Sequence, residues 1–233
     1  MSKSAPGIEQ RLHQLRSRIV AAAGEAGRDP AEIRLIAASK TFDAAALREA
    51  HAAGQIDFGE NYVQEALEKM GELGDLPLVW HFIGPIQSNK TRAIAEHFAW
   101  VHSVDRLKIA ERLSAQRPSS VPPLDICLEV NISGEPSKGG VTAQDLPALA
   151  RAVSHLPRLR LRGLMAIPAA STDPLVQRAA FAAVRRLYEA LQASGYALDT
   201  LSMGMSGDLE AAIAEGATMV RVGTAIFGER VYA

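Results

Sequence analysis

The 233-residue sequence carries 25 Lys and Arg against 26 Asp and Glu, a net charge of −1. That balance leaves no excess of positive charge, which excludes bulk electrostatic attraction to nucleic acid or to an anionic membrane surface. Cys127 is the only cysteine, so an intrachain disulfide and a cysteine-built zinc site are excluded too.

A chain of this length buries enough surface to fold without either device. Cys127 sits in the apolar run Leu124-Asp125-Ile126-Cys127-Leu128-Glu129-Val130 and reads as a small buried hydrophobe rather than a nucleophile. Residues 1–10 hold no apolar stretch fit for a signal peptide, and no run of 18 apolar residues occurs anywhere. The expectation is a soluble, cytoplasmic protein without a metal.

Taken in chain order, Ile8, Leu12, Leu15, Ile19, Ala22 and Ala23 share one face at helical spacing, and Gly27 and Pro30 close the stretch. The spacing predicts a helix over 8–26. Short β-like runs then alternate with amphipathic or alanine-rich segments. Strands are predicted at 34–39, 56–58, 79–83, 100–103, 126–131, 163–167, 200–203 and 219–222. Helices are predicted between them at 43–53, 63–73, 88–95, 105–115, 143–155, 175–193 and 209–215, with Ser88 as a candidate cap. The Pro- and Ser-rich stretch 117–123 is too short for a domain boundary, and no repeat or low-complexity tract is present.

Strands alternating with helices in this way imply a parallel sheet, and eight such units fit a closed barrel better than an open doubly wound sheet. The predicted strand ends concentrate polar and glycine residues: Ser39-Lys40, Gly59-Glu60-Asn61, Gly84-Pro85, Asn131-Ile132-Ser133-Gly134, Gly204-Met205-Ser206-Gly207 and Gly223-Thr224. A barrel gathers its chemistry at that rim. The fold expected is therefore a single (β/α)₈ TIM-type barrel over residues 1–233, with an extra N-terminal helix.

Lys40 follows Leu35-Ile36-Ala37-Ala38-Ser39 and should leave the first strand at the barrel mouth. Partial desolvation there favours the neutral, nucleophilic amine that Schiff-base chemistry requires; a solvated lysine opening a loop is the plainer alternative. Ser206-Gly207 and Gly223-Thr224 follow the last two strands, where barrels often bind phosphate through backbone N–H groups, hydroxyls and a short helix. Ordinary glycine turns are the alternative. Arg221 should point into the mouth by alternation and needs a partner, either a carboxylate such as Glu129 or a ligand's ring nitrogen. His81, inside a strand, reads as a hydrogen-bonded core residue rather than a base. The loop 131–140, with Lys138, reads equally as a mobile lid or a plain surface loop.

Together these segments resemble the pyridoxal-phosphate homeostasis protein family, relatives of the barrel domain of alanine racemase. The resemblance rests on Ala37-Ala38-Ser39-Lys40, Phe58-Gly59-Glu60-Asn61-Tyr62-Val63-Gln64-Glu65, His81-Phe82-Ile83-Gly84-Pro85-Ile86-Gln87-Ser88-Asn89-Lys90, Leu201-Ser202-Met203-Gly204-Met205-Ser206-Gly207-Asp208 and Val220-Arg221-Val222-Gly223-Thr224-Ala225-Ile226-Phe227-Gly228. It runs over practically the whole chain. It implies pyridoxal 5′-phosphate as cofactor, held as a Schiff base on Lys40, with Asn61 framing the site. Ser206, Gly223 and Thr224 would hold the phosphate, and Arg221 would face the pyridine nitrogen.

A guanidinium there disfavours protonation of the ring and weakens it as an electron sink. The racemases also carry a β-domain that supplies a catalytic tyrosine, and Tyr62, Tyr188, Tyr196 and Tyr232 belong to no comparable segment. The resemblance thus implies a cofactor buffer or carrier with little or no catalysis, serving apo pyridoxal-phosphate enzymes, expected as a monomer and without nucleic-acid or membrane partners. A pyridoxal-phosphate racemase or related enzyme is the alternative. A barrel binding another phosphate ester, with Lys40 as an electrostatic contact, is a third.

Overall fold

A run such as Leu35-Ile36-Ala37-Ala38 is apolar on both faces and too short for a helix, so it needs cover on each side. A parallel sheet sheathed by helices provides that cover. The computed structural model, which describes residues 6–135 and 138–228, has this arrangement. Its strands are β1 (Arg34–Ala38), β2 (Asp57–Glu60), β3 (Val79–Phe82), β4 (Trp100–Val104), β5 (Leu124–Glu129), β6 (Leu159–Met165), β7 (Thr200–Ser202) and β8 (Met219–Val222). They pair in chain order, and β8 returns to β1 with Leu35 opposite Val220 and Ile36 opposite Arg221, closing the barrel.

The helices among the described residues are α1 (Ile8–Glu25), α2 (Ala44–Ala52), α3 (Val63–Glu72), α4 (Thr91–His97), α5 (Leu107–Gln116), α6 (Leu146–Ser154), α7 (Pro174–Ala193), α8 (Leu209–Ala214) and α9 (Thr224–Phe227). α1 is the extra N-terminal helix. It buries Leu12, Leu15, Ile19, Ala22 and Ala23 against α2, α8 and α9.

Strand alternation divides the apolar residues into two cores. Leu35, Ala37, Phe58, Val101, Leu164 and Val220 face the helices within one large cluster. Ile36, Trp100, Cys127, Met165 and Met219 pack together inside the barrel. Fully buried side chains such as Phe58, Phe82, Phe98 and Phe181 each contribute roughly 1.5–3 kcal/mol. Burial pushes the Cys127 thiol far up, away from the reactive thiolate, in keeping with a packing role. At the N-terminal end of the barrel Asp125 pairs with Arg160 and Arg162, Arg162 also pairs with Asp199, and the Arg162 guanidinium lies 4.9 Å from the Trp100 ring centroid.

Several boundaries differ from those the sequence predicts. β6 begins at Leu159 rather than at 163, because Arg160 and Arg162 are strand residues neutralised by Asp125 and Asp199. Asp43 caps α2 and Asp173 caps α7 through bonds to Ala46 N and Leu175 N. Ser88 does not cap α4. It starts a 3₁₀ turn, Ser88–Lys90, and its carbonyl accepts from Thr91 Oγ1 at 2.9 Å. α6 starts late, at Leu146, because Thr142 and Asp145 bond each other in a preceding turn. At Gly163 any side chain is excluded, since a Cβ would lie 1.7 Å from Thr200 O on β7.

Candidate functional site

Lys40 leaves β1 half-buried, and the chain on each side of it is held by one buried cluster. Ser39 Oγ donates to Glu60 Oε1 at 2.6 Å. Lys69 Nζ, from α3, donates to Ser39 O, to Glu60 Oε1 and to Glu65 Oε1 at 2.8, 2.8 and 2.5 Å. Thr41 N in turn donates to Glu65 Oε1 at 2.6 Å. The residues before and after Lys40 are thus tied to the same ammonium and its carboxylates. Thr41 holds φ at +72°, a conformation costly for a β-branched residue, and the cluster retains it. Burial pushes the Glu60 carboxyl up, with Lys69 and Ser39 opposing that shift.

Lys40 lines a cavity of about 280 Å³ at the C-terminal end of the barrel, together with Asn61, Ser206, Arg221, Gly223 and Thr224. Every site residue expected from the sequence therefore meets in one place, drawn from four strand ends. Ala38, Phe42, Ile83, Ile167, Met205 and Gly207 complete the lining. Among the described lining residues only Lys40 and Arg221 carry charge, and none is a tyrosine. Asn61 is set by a close approach: a Cβ on Gly84 would stand 2.6 Å from Asn61 Cα, so only glycine lets the β3 end pass there. Ser206 sits in a braced loop. Its carbonyl accepts from Arg18 of α1, Gly207 O accepts from Gln177 of α7, and Met205 N donates to Asp208. Thr224 opens α9, a single turn in which Ile226 N and Phe227 N both donate to Gly223 O at 2.9 Å. Phe42 stacks on Phe227 with centroids 4.7 Å apart, joining the Lys40 loop to α9.

Arg221 is buried and points into the cavity as alternation predicts. The partner suggested from sequence, Glu129, is not the one found. Nη1 donates to Ser202 O at 2.6 Å and Ser202 Oγ at 2.7 Å, and Nη2 donates to Ala166 O at 3.1 Å. These acceptors lie on β7 and just past β6, within reach of β8, whereas Glu129 lies on β5, farther round the barrel. Burial pulls the guanidinium down to about 10, which leaves it charged at neutral pH. Glu129 lines an adjoining cavity with Asp105, Arg106 and Lys138, and burial raises its carboxyl. Within the loop after β5, Asn131 Nδ2 donates to Glu135 O and Lys138 O; Pro136 and Ser137 lie outside the described residues.

The family model of the alanine racemase N-terminal domain matches residues 11–231. A pyridoxal phosphate homeostasis protein of Pseudomonas aeruginosa is 66% identical over 97% of this chain and 96% of its own length. One of Escherichia coli K12 is 54% identical over 97% of both. The chain belongs to the pyridoxal phosphate homeostasis protein family. A solved structure of PipY from Synechococcus elongatus PCC7942 with PLP bound matches at a TM-score of 0.84 and 43% identity, covering 95% of this chain and all of that one.

In this member of the homeostasis family, sequence reasoning reached every residue it assigned to the cavity but missed the residues behind them. Glu65 and Lys69 stand at i,i+4 spacing on α3, a signal that reads as an ordinary surface pair. Here the lysine is almost fully buried. Asp57 and His102, which flank His81, gave no sequence signal because they come from different strands. No helix among the described residues is long and apolar enough to cross a membrane, and no group of side chains among them is suited to hold a metal ion.

Proposed function

We propose that this chain binds pyridoxal 5′-phosphate as one barrel domain and keeps it in reserve for other proteins, a cytoplasmic buffer and carrier rather than a catalyst. The observation that carries the reading is the pairing of Lys40 with the β7 and β8 ends across one cavity, where Arg221 is the other charged group among the described lining residues. The residues present fit the group. Asn61 Oδ1 is buried without a partner, a polar atom that a ligand would satisfy. The Ser206 and Thr224 hydroxyls and the close-approaching backbone at Gly223 would form the anion cradle. When bound, the cofactor supplies an aldehyde that condenses reversibly with a primary amine and releases water.

Lys40 Nζ, the amine that lines the cavity, would attack that aldehyde. Arg221, charged at neutral pH, would face the ring nitrogen and would keep a proton off it. Asn61 would frame the ring's edge, and Ile83, Ile167 and Met205 would offer it apolar contact. Catalysis such as racemisation would need a second proton donor on the face opposite Lys40. The described lining offers no carboxylate, histidine or tyrosine for that role, which favours the carrier reading over a racemase. Apo pyridoxal-phosphate enzymes are the receivers this reading implies.

Borohydride reduction of cofactor-loaded protein, followed by peptide mapping, tests the assignment. The adduct is expected on the peptide containing Lys40, with no covalent retention in Lys40→Ala. An adduct confined to Lys90 or Lys138 would overturn it. L-alanine incubated with the loaded protein is expected to yield no D-alanine at ordinary enzyme rates, on the order of 1 s⁻¹ or more.

A further inference from the structure

The barrel interior contains a continuous row of polar side chains running down from Arg221. Arg221 Nη1 donates to Ser202 Oγ at 2.7 Å. Ser202 Oγ lies 2.8 Å from His102 Nδ1, His102 Nε2 lies 3.0 Å from His81 Nδ1, and His81 Nε2 lies 2.9 Å from Asp57 Oδ1. Ser202, His81 and His102 are fully buried. Asp57 opens β2 at the end of the barrel opposite the Lys40 cavity, where it also faces Arg34 at 3.4 Å.

The chemistry of the two ends dictates the direction of every bond between them. A guanidinium only donates and a carboxylate only accepts. Ser202 Oγ therefore accepts from Arg221 and turns its proton to His102 Nδ1. His102 then carries its proton on Nε2 and donates to His81 Nδ1, and His81 Nε2–H donates to Asp57. The opposite pair of tautomers would set the His81 Nε2 lone pair against the Asp57 carboxylate. Burial holds both imidazoles below their ordinary range, which keeps each with one proton.

We propose that Asp57, His81, His102 and Ser202 are positioning residues for Arg221, with the Asp57 carboxylate setting the polarity of the row and the row deciding which guanidinium N–H groups face the cavity. A guanidinium has five N–H bonds. Three are taken by Ser202 O, Ser202 Oγ and Ala166 O. Nε–H and one Nη2–H remain for a ligand. With its proton committed to His102, the Ser202 hydroxyl offers lone pairs to Nη1. Once the row is broken the hydroxyl rotates freely and that hold on Arg221 loosens. The last link, from Arg221 to the ring nitrogen, rests on the function proposed above; the row itself does not.

Side-chain ¹⁵N spectra of the cofactor-free protein test the row directly. The expected result is His81 and His102 both protonated at Nε2 alone, with an Nδ1–H population appearing in Asp57→Asn, whose amide accepts or donates. An Nδ1 proton on either histidine of the wild type, or unchanged tautomers in Asp57→Asn, overturns the proposal. The second measurement uses pyridoxal phosphate labelled with ¹⁵N at the ring. The ring resonance is expected to move in His102→Leu and Ser202→Ala, with affinity reduced roughly tenfold, equivalent to ~1.4 kcal/mol. His102→Asn, which restores an acceptor for Ser202, should bring the resonance back towards wild type. If His102→Leu does not fold, Ser202→Ala, the loss of one oxygen atom, decides. A resonance unmoved in the folded variants overturns the proposal. Wild type that takes up no label defeats the reading of the cavity and leaves the tautomers to decide the row.

Discussion

Ser206 and Thr224 reach the Lys40 cavity from two different strand ends, and neither is a core residue, so their hydroxyls can be removed without disturbing the barrel. Hydrogen bonds to a charged group are worth roughly 1.5–3 kcal/mol each. Ser206→Ala combined with Thr224→Ala is therefore expected to weaken binding of pyridoxal phosphate strongly while changing binding of unphosphorylated pyridoxal little. Titration of both vitamers measures this, and equal losses would place the phosphate elsewhere. Arg221 makes the complementary point. A single arginine in an apolar strand demands a partner, but its sequence neighbours do not say which. The partners are two main-chain carbonyls and one serine hydroxyl, groups that no charge pattern reveals.

Between β1 and α3 the important unit is the buried ammonium of Lys69, which holds Ser39, Glu60 and Glu65 at once and through them the chain on either side of Lys40. Removing one partner of a buried ion pair leaves the other uncompensated, at a cost of roughly 3–5 kcal/mol. Lys69→Met is expected to lose stability on that scale in denaturant unfolding and to release Thr41 from its left-handed conformation, weakening covalent retention of the cofactor. Adding Glu60→Gln removes the stranded charge and should recover part of the stability. Retention should not recover with it, because Ser39 O and Glu65 still lack their donor. Full recovery of both would show that the cluster does not position Lys40.

The whole barrel has a pH dependence written into its interior. Burial holds the imidazoles of His81 and His102 below the ordinary histidine range in the folded state. They face Asp57, Arg34, Asp125 and Arg221. Below about pH 6.5 the unfolded chain takes up protons that the folded one refuses, so stability present above that pH is lost as the pH falls. The slope approaches ~1.4 kcal/mol per pH unit for each histidine. Glu60 and Glu129, raised by burial, act in the opposite sense. A comparison with His81→Asn/His102→Asn isolates the histidine contribution. Denaturant midpoints from pH 7 to 5.5 are expected to fall more steeply for wild type than for the double variant, and parallel slopes would refute the assignment.

The order and type of the strands and the main α-helices were legible in the chain because each alternates or repeats its apolar residues with its own period. Ends were less legible where charge masked the pattern. Leu159-Arg160-Leu161-Arg162 alternates as a strand should, but its arginines become acceptable only once Asp125 and Asp199 stand opposite them. Lys40, Asn61, Ser206, Arg221, Gly223 and Thr224 could be located in advance because a barrel sends every strand end to one rim. The residues behind that rim could not. His102 meets His81 from the next strand and Ser202 from three strands on, and Lys69 reaches a carbonyl 30 positions away. By itself, then, the sequence determined the alternation that makes the barrel and the residues its rim would carry, because both depend on local period and position. Only the tertiary structure decided which polar groups satisfy one another inside it, because burial removes water and leaves each donor to the acceptors that closure of the sheet brings within about 3 Å.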